Sequence, residues 1–230
     1  LGRFLEDKST WSAWYTLWRS FFAEDAEPGD LELFKEATGR TEWPSVASDE
    51  LWVCAGVRSG KSRQIALLAC WLALFAKHRL AAGEIGYILI VSASKDQASI
   101  IRRYASEFLN SHPLFADRIV RETQTQIDLD NDISIKTLSS DFRTVRGYSA
   151  IAVICDEIGH MSYEGSRPDY EVVDALRSRL AMSGGPAIFI GSPHAKRGSL
   201  WQAYREYWGR PSETLFWKLP SQRMNPLIKD

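Results

Sequence analysis

Two clusters of residues in this 230-residue chain have types and spacing suited to chemistry. The first is Cys54-Ala55-Gly56-Val57-Arg58-Ser59-Gly60-Lys61-Ser62, with an apolar run, Leu51–Cys54, before it and a longer one, Ile65–Phe75, after it. Strand, glycine-containing turn, Gly-Lys-Ser and helix is the layout of a phosphate-binding P-loop. Glycines let the backbone fold tightly, so that successive N–H groups converge on an anion. The helix that follows adds unpaired N–H groups and the positive end of its dipole. In such a loop Gly56, Val57, Arg58, Ser59 and Gly60 wrap the phosphates, Lys61 reaches the β- and γ-phosphates, and the Ser62 hydroxyl ligates Mg²⁺. The full pattern asks for glycine at position 55, where this chain has Ala55 with Gly56 beside it. A Gly-Lys-Ser at an ordinary surface turn is the alternative, and the strand before and helix after argue against it.

The second cluster is Asp156-Glu157, at the end of the all-apolar run Ile151–Cys155. Buried central strands of a parallel sheet read this way. Carboxylates at the carboxyl end of such a strand lie where ligands bind in α/β sheets. Asp156 is placed to hold Mg²⁺, directly or through water. Glu157 is placed to polarise the water that attacks a γ-phosphate. Alone, an acidic pair merely marks a strand end; downstream of a P-loop it gains a role.

Positioning these residues requires a sheet. Further strands are expected at 86–92, 187–191 and 214–219, with helices over about 95–109, 168–181 and 198–208. Three short antiparallel strands, 119–121, 125–129 and 133–138, suit a hairpin at one edge, turned by Asp130-Asn131-Asp132. The segment 3–24 reads as a helix with Phe4, Trp11, Trp14, Tyr15, Trp18 and Phe22 as its apolar set, a lid packed on the core rather than a partner-binding helix. Asp30 caps a second helix, 31–38, ended by Gly39. Arg40 and Trp43, ahead of the first strand, are candidate adenine contacts. The expected fold is therefore α/β, a P-loop NTPase of RecA-like (ASCE) type with a mostly parallel sheet flanked by helices.

Composition narrows the class. The chain is 45% hydrophobic and 25% charged, which suits one globular domain with a small appendage. A formal net charge of −1 excludes a global basic field, so any DNA partner must be met by a local patch. Cys54, Cys70 and Cys155 lie in apolar segments without C-x-x-C spacing and read as reduced core residues. Cys54 and Cys155 are expected to end neighbouring strands. The four histidines have no metal-ligand spacing. No secretory signal is visible, and the run 65–75 is too short to span a bilayer.

Together the residues resemble the ATPase domain of a tailed-phage terminase large subunit, the motor that packages DNA into a procapsid. Four features carry the resemblance: Val57-Arg58-Ser59-Gly60-Lys61-Ser62, a P-loop with an arginine inside it; Thr144-Val145-Arg146-Gly147-Tyr148 before the acidic strand; Ile154-Cys155-Asp156-Glu157; and Gly191-Ser192-Pro193, similar to the coupling motif of these motors. The resemblance implies ATP and Mg²⁺ as cofactors, with Lys61 and Ser62 on phosphate and Mg²⁺, Asp156 on Mg²⁺ and Glu157 activating water. It further implies that Arg58 contacts the nucleotide, that Ser192 links γ-phosphate loss to motion, and that Arg146 is inserted into a neighbouring subunit's site. A salt bridge or a phosphate contact within its own subunit is the other reading of Arg146.

The implied partners are double-stranded DNA, the portal protein, the small terminase subunit and further copies of the chain in a ring, in the cytoplasm of an infected bacterial host and away from any membrane. Residues 1–220 are the expected ATPase domain, with 1–45 the helical lid segment and 221–230 opening a linker to a C-terminal nuclease domain absent from this chain; no DNA cleavage is expected from it. A helicase-like DNA-dependent ATPase would need a second RecA-like domain. A nucleotide-gated scaffold that hydrolyses poorly is disfavoured by Glu157.

Overall fold

A computed structural model of the chain describes residues 9–139, 148–161 and 169–228. Arg146, with residues 144–147 of its motif, falls outside them, as does the expected helix start at 3–8.

Eight strands form one sheet in the order β3-β4-β5-β2-β6-β7-β1-β8. They are β1 (Glu50–Ala55), β2 (Gly86–Ser92), β3 (Ile119–Glu122), β4 (Gln126–Leu129), β5 (Ile133–Ser139), β6 (Ala150–Asp156), β7 (Ala187–Gly191) and β8 (Thr214–Leu219). The six strands from β5 to β8 in that order are mutually parallel, while β4 runs antiparallel to β3 and β5. The edge hairpin is thus present, and its second strand, β5, also pairs with β2 from Gly86↔Ile133 to Ser92↔Ser139.

Alternation along the central strands splits the core in two. Leu51, Val53 and Ala55 of β1, with Ile188 and Ile190 of β7, face α1 (Ser12–Phe21), α2 (Asp30–Thr38), α3 (Lys61–Phe75) and α4 (Lys95–Asn110). Trp52 and Phe189 point the other way, toward the α6 (Asp169–Arg179) and α7 (Gly198–Tyr207) helices, and stack with centroids 4.5 Å apart. The short α5 (Pro113–Ala116) leads into β3, and α8 (Ser221–Met224) follows β8. Helices on both faces explain why the central strands read as continuous apolar runs. No described helix is long and apolar enough to cross a membrane.

Four expectations change. Asp30 is the first residue of α2 rather than its cap: Gly29 takes the N-cap position, and the Asp30 carboxylate accepts from Thr16 and Arg19. Strand β7 lies between β1 and β6, so Cys54 pairs in register with Gly191, and Cys155 with Phe189. The two cysteines therefore do not end neighbouring strands; all three cysteines are free. Arg40 and Trp43 are engaged within the fold. The Arg40 Nη2 donates to the Thr214 carbonyl at the start of β8 (2.6 Å), beside Glu50 at the end of β1 away from the P-loop, and the Trp43 indole donates to the Glu24 carbonyl (2.9 Å) and packs on Phe34. Finally, the described N-terminal helix runs only from Ser12 to Phe21, after a 3-10 turn at Ser9–Trp11.

Candidate functional site

Strand β1 ends at Ala55 and α3 begins at Lys61, so the P-loop closes in five residues. Two of them take left-handed backbone: Gly60 at φ 91° and Arg58 at φ 63°. For glycine that conformation is free, while for arginine it is strained. Gly60 is required twice over, because a Cβ there would overlap the Trp11 ring. At Gly56 a Cβ would overlap the Ser221 hydroxyl. Ser59 is buried, while Val57 and Arg58 are exposed.

The loop is held from both sides by segments remote in sequence. From the N-terminal side, the buried Trp14 indole donates to the Ser59 carbonyl at 2.8 Å, and the Trp18 indole donates to Gln64 Oε1 at 3.2 Å. The Arg63 guanidinium lies 5.4 Å from the Trp11 ring centroid. From the C-terminal side, Asn225 Nδ2 donates to the Arg58 carbonyl at 3.0 Å, with Met224 fully buried beneath it. The lid reading of the N-terminal segment thus acquires a definite task. It packs on the core and fixes the loop's backbone.

The parallel strands bring the chemistry-bearing residues to one edge. Lys61 Nζ donates to the Ala55 and Gly56 carbonyls (3.1 and 3.0 Å) and to Ser192 Oγ (2.9 Å), and lies 3.3 Å from Glu157 Oε1. The Lys61 side chain is only 7% exposed, so these partners are what keep a charge tolerable there. Glu157 takes left-handed backbone at φ 55°, directing its carboxylate across β7. It accepts from the Ser192 N–H and hydroxyl, both at 3.1 Å. Glu157 Oε2 lies 4.0 Å from His160 Nε2, and the His160 ring is 5.0 Å from that of His194.

Asp156 is fully buried beside this group. Its Oδ2 accepts from Gln97 Nε2 at 3.0 Å, and its Oδ1 makes no hydrogen bond among the described residues. Burial, reinforced by the neighbouring Glu157 charge, pushes its carboxyl up to about 7, against the opposing pull of Lys61, the Gln97 amide and the Glu157 backbone N–H. A buried carboxylate oxygen with no partner suits a hard cation, which would both satisfy it and hold it ionised. Ser62, in the first turn of α3, supplies the hydroxyl that such an ion takes in a P-loop. The residues therefore fit Mg²⁺, with Asp156 and Ser62 to hold it.

Glu157, Lys61, Asp156 and Ser192 thus converge, and the loop from Gly56 to Ser62 lies against them. Sequence reading missed Gln97, Trp14, Asn225 and Ser221 as contributors. Gln97 was readable only as part of a helix cap, although it follows a strand whose carboxyl end lies at the ligand edge. The N-terminal tryptophans were visible as an excess, without a target. On the opposite face of β1, β7 and β8, a cleft of about 680 Å³ opens next to Ser192, with Trp201, Tyr204, Lys196 and Lys218 among its lining.

No family model matches the chain, and no curated protein matches it. Solved structures do. The ATPase domain of the Thermus phage P74-26 large terminase is 17% identical with a TM-score of 0.59, and an arginine-to-alanine variant of it is 15% identical with a TM-score of 0.61; each match covers 90% of this chain and 86% of that one. The large terminase of bacteriophage HK97 is 21% identical over 70% of this chain, with a TM-score of 0.55; the match spans 32% of that longer chain. At these identities the likeness establishes a shared fold: the eight-stranded, mostly parallel sheet with its antiparallel hairpin is that of the terminase ATPase domains.

Proposed function

We propose that this chain is a Mg²⁺-dependent ATPase, the motor domain of a viral terminase large subunit that drives double-stranded DNA into a procapsid. The observation that carries the reading is the convergence of Lys61, Ser192, Glu157 and the partnerless Asp156 oxygen at the carboxyl ends of three parallel strands. The fold shared with terminase ATPase domains supports the packaging role.

Binding starts with Lys61. Its amine rests on two loop carbonyls, Ser192 and Glu157, and would exchange the carbonyls for oxygens of the β- and γ-phosphates. Bound Mg²⁺ would supply charge neutralisation on the phosphate oxygens. Glu157, released from the amine, takes a proton from the attacking water and orients it in line with the leaving phosphate. Ser192 touches both Lys61 and Glu157, so loss of the γ-phosphate rearranges its contacts and is passed along β7. Arg58 is exposed on the loop, available to the nucleotide. Arg146 is assigned to a neighbouring subunit's site, where such a finger contributes about 10³–10⁵ in turnover. Residues 1–220 make the ATPase domain in this reading, and 221–230 start the linker, its first residues, Ser221 to Asn225, packed back on the P-loop. Portal protein, small terminase subunit and further copies in a ring are its partners, in the cytoplasm of the infected bacterium.

The test is ATP hydrolysis by the purified chain at saturating Mg-ATP as protein concentration is raised. A specific rate that climbs with concentration, and that Arg146→Ala flattens, supports subunits completing one another's sites. A climbing rate indifferent to Arg146→Ala removes that residue from the role.

A further inference from the structure

We propose that Gln97 is a positioning residue for the metal: its side-chain amide holds one oxygen of Asp156 and so turns the other toward the cation. The inference rests on the Mg-ATP reading of the site. Asp156 is fully buried, and its two oxygens are treated differently: Oδ2 accepts from Gln97 Nε2 at 3.0 Å, while Oδ1 makes no hydrogen bond among the described residues. A carboxylate can rotate about its terminal torsion at little cost, so an unheld Asp156 would present either oxygen in any orientation. A donor on one oxygen fixes the plane of the group and with it the direction of the other.

Gln97 is itself held. It lies in the first turn of α4, where its backbone N–H donates to the capping Ser94 hydroxyl at 3.2 Å. The cap sets where the side chain starts, and only a long amide reaches back from α4 to the end of β6. Glutamate, nearly the same shape, would place a second acceptor against a carboxylate. A second buried polar atom marks the same spot. Ser92 Oγ, on the β2 residue paired in register with Asp156, also makes no hydrogen bond among the described residues. Two adjacent partnerless oxygens indicate room for a ligand shell, with Ser92 placed to accept from a water in it. Because α4 packs along α3, and Cys70 Sγ donates to the Ala105 carbonyl between them (3.5 Å), the metal's orientation is set by the helix next to the P-loop helix.

Second-layer partners of this kind alter metal affinity about 10–100-fold when removed. The probe is Mn²⁺, titrated by electron paramagnetic resonance into the whole chain with a non-hydrolysable ATP analogue. Analogue binding in EDTA and thermal unfolding are measured alongside. Gln97→Leu keeps an apolar side chain of similar bulk and removes the donor; Ser94→Ala loosens the start of α4 and keeps the amide. The expected result is Mn²⁺ affinity weakened about 10-fold by Gln97→Leu, with metal-free analogue binding within about twofold of wild type. Ser94→Ala, which loosens the cap but keeps the amide, is expected to lower Tm and to weaken Mn²⁺ affinity by less than Gln97→Leu does. Wild-type Mn²⁺ affinity in Gln97→Leu would overturn the role of Gln97 alone. Equal losses of Mn²⁺ and metal-free analogue binding would overturn it too, as general damage. A wild-type chain that binds no Mn²⁺ with the analogue would sink the reading of the site as well.

Discussion

The P-loop and the carboxylate edge face each other, and they are built on opposite terms. Around the loop the backbone handles are taken: the Ser59 carbonyl by Trp14, the Arg58 carbonyl by Asn225, and the spaces at Gly56 and Gly60 by Ser221 and Trp11. At the carboxylate edge, Asp156 Oδ1 and Ser92 Oγ are buried without partners among the described residues, and Glu157 holds a left-handed backbone. The loop is preorganised by packing and spends nothing on rearranging its frame. The loop has a left-handed Arg58 and, among the described residues, an unpaired buried Ser59 hydroxyl, but the edge carries the unpaired carboxylate oxygen, and an unsatisfied group of that kind at a ligand edge is where a ligand completes the structure. Lys61 spans the two, with its backbone in α3 and its amine on Glu157 and Ser192.

The contrast can be broken at its strongest point. Trp14→Ala removes a fully buried indole and the donor to Ser59, so it should lower stability by about 3–5 kcal/mol, read as a Tm lower by roughly 8–15 °C. A fall under about 2 °C would mean that the N-terminal helix rests on the loop without holding it. Lys61→Met separates the two regions. It should weaken binding of a fluorescent ATP analogue at least about 100-fold, the loss of a charge-assisted phosphate contact, and leave Glu157 without its cation.

A third prediction uses the carboxylate edge alone. The folded chain holds a proton on Asp156 up to about pH 7, where the unfolded chain has released it by about pH 4. The stability this proton contributes is present below pH 4 and is lost as pH rises to 7. Asp156→Asn, which cannot ionise, should therefore raise the Tm of the metal-free protein by roughly 4–8 °C at pH 8, a gain of about 2 kcal/mol. The gain should vanish at pH 4.5, and Mg-ATP should stabilise only the wild type. A gain independent of pH would remove burial of the charge as its cause. The smallest effect is expected from Asn225→Ala. Its amide lies at the exposed end of the loop's support, so stability should fall by under about 1 kcal/mol in denaturant titration.

The two regions were not equally legible in sequence. Local patterns named the P-loop, the acidic strand and every strand of the sheet, because buried parallel strands read as apolar runs and the loop's glycines mark its turns. What escaped depends on strand order. Nothing in Cys54 or Cys155 says that β7 enters between their strands, and nothing around Arg40 says that it bonds the start of β8. The supports of the loop escaped for the same reason. Trp14 and Ser59, or Arg58 and Asn225, meet across 45 and 167 residues, and a lone tryptophan or asparagine carries no sign of its partner. Gln97 was legible as a cap and not as a contact, since its target is a side chain on another strand.

The most direct test is steady-state hydrolysis of Mg-ATP by the wild-type chain and by Glu157→Gln, with binding of a non-hydrolysable analogue measured on both. Glu157 bonds Ser192 and Lys61, and the amide keeps the acceptor while losing the base. The account predicts that both bind the analogue within a few-fold and that turnover in the variant falls by about 10²–10⁴. Equal turnover in the two proteins, with binding intact, would contradict it and leave the edge of β6 and β7 as structure without catalysis.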